Sequence, residues 1–74
     1  MLKIDGYDKA IIGQCSCWDG NEKVDRLVYD GDTIVLMMTV EGMEREEALE
    51  YIEYNIEGAY VGPETPIIVW EYND

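Results

Sequence analysis

Hydrophobic positions along the chain follow two periods. From residue 10 to 18 (AIIGQCSCW) they alternate in part: Ile12, Gln14, Ser16 and Trp18 fall on one side, and Ile11, Gly13, Cys15 and Cys17 on the other. That reads as a strand with Ile11 and the cysteines on its inner face; a short helix capped by Asp8 is the competing reading. Asp19-Gly20-Asn21 signals a turn, and residues 24–30 (VDRLVYD) read as the return strand, so residues 10–30 predict a hairpin after a short entry segment. Gly31 breaks the pattern. Asp32 is placed to cap a helix over residues 33–41, although IVLMMTV is apolar on all sides and fits a two-faced buried strand as well. The Met pair and the helix that follows favour the helical reading.

The period then becomes clearly helical. Over residues 44–57, Ala48, Leu49, Ile52 and Ile56 share one face, with Ala59 continuing it, and Glu46, Glu50, Glu53 and Glu57 recur at i, i+4, i+7 and i+11 beside it. Ala, Leu and Glu favour helix, and Glu44, Glu46 and Glu47 suit the positive end of a helix start. Gly58 is a helix stop, Gly62-Pro63 a turn, and residues 66–72 a final strand rich in β-branched and aromatic side chains, with Asn73 and Asp74 as a frayed end. The predicted order is β-β-α-α-β, an α+β fold in which a small antiparallel sheet carries two helices on one face. Residues 1–74 form one small domain.

Composition changes this picture chiefly through charge. Seventeen Asp and Glu oppose five Lys and Arg, for a formal charge of −12. Phosphate contacts need clustered cations, so direct nucleic-acid binding is not expected, and anionic membrane surfaces repel such a chain. A basic partner is the electrostatic complement; plain solubility is the ordinary reading of the same charge. The start of the chain has no basic region followed by an apolar one, and no apolar run approaches the length of a membrane span. Cys15 and Cys17 are too close in sequence to close a useful loop, which suits a reduced, cytoplasmic protein.

The chemistry on offer is sparse. The chain has no His, which removes the commonest general base and zinc ligand. Cys15 and Cys17 offer a soft metal two thiolates, a site that only a second subunit could complete, and alternating buried strand cysteines are the ordinary reading. Asp30 with Asp32, or Asp19 with Glu22 and Asp25, offer carboxylates to a hard cation without matching a calcium-loop spacing. No phosphate loop is present. No catalytic, cofactor or metal residues are therefore assigned. Asn55 and Tyr60 flank the helix exit, where they read as turn-shaping residues. Tyr51 and Tyr54 lie on the helix flank, either completing the edge of the core or acting as contact residues beside the acids.

The residues Tyr7-Asp8, Ala10-Ile11-Ile12-Gly13, Tyr29-Asp30, the GMEREEA of residues 42–48, the EYNIEGAYVG of residues 53–62 and Thr65-Pro66 resemble a family of small proteins encoded by tailed bacteriophages. The resemblance covers about two thirds of the chain, implies expression in the cytoplasm of an infected host, and brings no assigned activity with it. Members resemble GMTREEA, where the Thr suits a capping box; Glu44 stands in that place here. Residues 15–26 also depart from the pattern.

These readings converge on an acidic interaction module. Its partner-binding residues are Glu46, Glu50, Glu53, Glu57, Tyr51 and Tyr54, and its partner is a basic surface of a host or phage protein. Carboxylates one helical turn apart stand about 6 Å from each other, within a factor of two of the phosphate rise along a strand, so the stripe can mimic nucleic-acid charge. The rivals are a structural or self-assembling accessory protein with no ligand, and, third, a small metal-dependent enzyme built on carboxylates. Homo-oligomerisation stays open.

Overall fold

The computed structural model describes residues 1–73; Asp74, with its half of the expected frayed end, lies outside them. A single 3-10 turn at Asp8–Ala10 leads into β1 (Ile11–Asp19) and β2 (Glu22–Asp30). Gly20 takes φ +64° while Asn21 stays at negative φ, the arrangement of a two-residue turn with glycine first, whose twist matches that of the strands it joins. The helix α1 (Gly31–Val40) follows without a loop, then α2 (Arg45–Ile52), which runs into a π-helical turn at Glu53–Glu57, and finally β3 (Ile67–Val69).

The fold is α+β in the order β-β-α-α-β. Among the described residues the sheet has the order β1-β2-β3 and is mixed: β1 and β2 pair antiparallel, while β3 runs parallel to β2, with Val28 opposite Ile67. The stretch after the π turn carries the chain back to the level of Val28, so β3 enters in the direction of β2. The strand expected over residues 66–72 shortens to three residues. Arg26 Nε donates to the Thr65 carbonyl, and Thr65 Oγ1 accepts from Val61 N–H at 3.0 Å and donates to Gly62 O at 2.6 Å. Buried Thr65 thus fixes the approach to β3.

One face of β2 builds the core. Leu27 and Tyr29 are buried against Ile34, Val35 and Met38 of α1 and Ala48 and Ile52 of α2, with Ala10 and the partly buried Ile68 closing the cluster. Apolar burial drives this assembly. The Tyr29 hydroxyl satisfies itself by accepting the Ile4 N–H at 2.8 Å, which also ties down the entry segment. Cross-strand partners share a face, and Cys15 and Cys17 lie opposite Arg26 and Val24. They therefore sit on the sheet face away from the helices, a correction to their expected inner placement. A bulge between Ile11 and Gly13 inserts one residue and turns Ile11 alone back to the core.

Of residues 33–41, all but Glu41, which caps the end, are helical. The helix begins two residues earlier than expected, at Gly31, with Asp30 as N-cap and Thr33 Oγ1 donating to its carboxylate. Asp32 instead accepts the Glu71 N–H at 3.3 Å, joining α1 to the chain after β3. The all-round apolar pattern of α1 leaves Leu36 and Val40 exposed. No described helix is long and apolar enough to cross a membrane.

Candidate functional site: an acidic groove on the second helix

Seven glutamates (Glu41, Glu44, Glu46, Glu47, Glu50, Glu53 and Glu57) crowd the segment of α2 and its flanks, and Arg45 is the single cation among them. All seven are exposed. The two ion pairs among the described residues, Met1 ammonium to Glu64 and Lys3 to Asp8, lie elsewhere. The helix face thus presents its carboxylates without internal partners from Lys or Arg.

The core-facing positions Ala48 and Ile52 set the rotation of α2 and so decide what its outer face offers. Glu50, Tyr51 and Tyr54 come together around an open groove of about 300 Å³, completed by Met43, Glu47 and Asn55. Tyr51 is 45% and Tyr54 75% exposed, too open for rings that finish a core edge. Met43 lies half-buried against the core and forms an apolar wall. Glu46 and Glu53 are exposed on the same helix but do not line the groove.

Glu57 has a separate role. Gly58 N–H donates to Glu53 O at 3.0 Å, an i to i+5 bond that widens the last turn. The extra residue per turn rotates Glu57 out of the stripe that a continuous α-helix would give. Its Oε1 accepts the Trp70 indole N–H at 3.0 Å, which holds the end of the helix to the chain beyond β3.

Sequence reasoning assigned no contact role to Met43, Glu47 and Asn55. Their signal was the spacing 43, 47, 50/51, 54/55, a second helical face beside the acid stripe, obscured because Met43 precedes the helix.

A groove with an apolar wall, two phenol rings and two carboxylates suits a cationic side chain on an aliphatic stem. Among the described residues no group of three or more His, Cys, Asp or Glu is arranged to hold a metal ion. Cys15 and Cys17 are free thiols with sulfurs 3.0 Å apart. The hydrogen bond to Cys17 raises the Cys15 pKa, with burial and the neighbouring Cys17 adding to it and Arg26 acting against it. Comparison of the chain with family models, curated proteins and solved structures finds no match.

Proposed function

We propose that the chain acts by binding, taking a basic segment of a host or phage protein into the α2 groove within an infected bacterial cell. One observation carries this reading: Glu47 and Glu50 stand with Tyr51 and Tyr54 around a single open groove. A Lys or Arg entering it lays its methylene stem on Met43 and the rings and brings its charge to the carboxylates. Glu46 and Glu53 extend the negative field along the helix and steer the encounter. Partner surfaces that normally hold nucleic acid present cations in such rows, so charge mimicry is the extended form of the proposal.

The test titrates an oligo-arginine peptide into the chain at two salt concentrations. Binding is expected to weaken as salt rises, because screening shortens to about 8 Å at physiological ionic strength. Glu47→Lys/Glu50→Lys should lose most of the affinity while remaining folded, with association slowed more than dissociation hastened. Tyr54→Ala should weaken binding at both salt concentrations. Glu22→Lys/Glu71→Lys makes the same change in net charge away from the groove and should retain binding. Equal loss in both double variants would reduce the interaction to bulk charge and refute the groove.

A further inference from the structure

We infer that β1 is a self-pairing edge through which two copies of this chain join their sheets. The inference is independent of the acidic groove. It starts from the sheet order: β2 lies between β1 and β3, and among the described residues no strand pairs with the outer edge of β1. That edge is nine residues long, and proteins usually blunt such an edge with Lys, Pro or bulges. Here only the bulge near Ile12 interrupts it, and no Lys or Pro occurs in the strand.

Hairpin geometry fixes which backbone groups face outward. The two-residue turn makes Asp19 and Glu22 the closing, hydrogen-bonded pair, and such pairs alternate along the ladder. Cys17, Cys15 and Gly13 therefore direct their N–H and C=O groups to β2. Trp18, Ser16 and Gln14 direct theirs to open solvent.

A second β1, antiparallel and centred on Cys15, meets those of Gln14 and Ser16. In that register Gln14 stands opposite Ser16 of the second copy on either side of the two-fold axis, so the outward groups become hydrogen-bonded pairs. The strand spans residues 11–19 and Cys15 is its midpoint, so this register pairs the regular stretch from Gly13 to Cys17 of both copies. It also brings Trp18 of each copy alongside the bulged end of the other strand, near Ile12. Ile12 and Trp18 are the two exposed large apolar side chains of β1, at 63% and 70% exposure. Charge selects the same place. In a chain of formal charge −12, residues 10–18 carry no charge at all, so an identical copy meets the least repulsion there. The occupant is thus a second copy, and the product is a continuous sheet with both sets of helices on one side.

The register makes a sharp test. Cys15 faces Cys15 in a non-hydrogen-bonded pair, where Cα atoms stand about 4.5 Å apart, within disulfide reach. Cys17 faces Gly13 and is several residues from its own counterpart. Sedimentation equilibrium of the full chain should give the mass of a dimer. With diamide as oxidant, Cys17→Ala should form a covalent dimer through Cys15, and Cys15→Ala should not. Gln14→Pro removes an outward N–H without touching the ladder to β2; it should retain the far-UV spectrum and sediment as a monomer. A wild-type chain that stays monomeric at its highest soluble concentration would overturn the inference. So would cross-linking of Cys15→Ala as readily as Cys17→Ala, which would place the contact in another register or on another face.

Discussion

Glu44 occupies the N-cap of α2 with extended backbone (φ −73°, ψ 153°) and makes no side-chain cap bond. Threonine in that place would set its hydroxyl against the Glu47 N–H, and Glu47 is spaced to reach back to the residue 44 amide. Glu44→Thr is therefore expected to raise stability by about 1 kcal/mol, read from thermal unfolding. An unchanged or lower midpoint would mean that Met43 packing already fixes the start. Tyr7 offers a second residue-level test. Burial first, then the Glu41 carboxylate and Tyr51, raise its phenol above the ordinary 10.0. The unfolded chain ionises this group at lower pH than the folded one, so the stability it contributes is complete below about pH 10 and is lost as pH rises through the folded value. Tyr7→Phe should lose less stability than wild type between about pH 9 and pH 11, measured by denaturant midpoints. Equal losses in the two proteins would assign the alkaline sensitivity to another group.

Between elements, the tightest junction joins the start of α1 to the exit of β3. A Cβ placed on Gly31 would lie 2.7 Å from the indole carbons of Trp70, so the glycine is required by close approach and not by φ. Gly31→Ala should displace the ring, weaken the bond from Trp70 to Glu57 and cost about 1–3 kcal/mol. In a Trp18→Phe background the emission of Trp70 should shift as well. Unchanged stability and emission would show a ring free to move aside. The same junction marks where sequence stopped being informative. The hairpin was legible because alternation flanks a Gly-Asn turn, and α2 because its apolar spacing is helical. The direction of β3 was not, since Ile67 to Val69 carry no mark of parallel or antiparallel pairing. The inner face of β1 was misassigned because a bulge at Ile12 separates Ile11 from the phase of Cys15 and Cys17. The acid stripe was legible as far as Glu53; a π turn, which depends on backbone bonding and not on periodicity, then carried Glu57 to Trp70.

For the molecule as a whole, length and charge bounded the answer more firmly than any motif. A chain of this size buries about 60–65% of its unfolded surface, and this one spans 42 × 28 × 20 Å with Leu36, Val40, Tyr54 and Tyr60 still open to solvent. Against a formal charge of −12, residues 10–18 stand out as a stretch with no charge. The central position of β2 has a further consequence for how the chain is made. Synthesis delivers the hairpin first, and hairpins close within about 1–10 µs, far faster than the residues behind them are added. The strand that covers the second edge of β2 is separated from it by both helices and the long return. Until that last strand is released, whatever hairpin forms has both edges bare and only marginal stability. The interval before β3 arrives is therefore the period in which neighbouring nascent chains on one message are most exposed to pairing with each other.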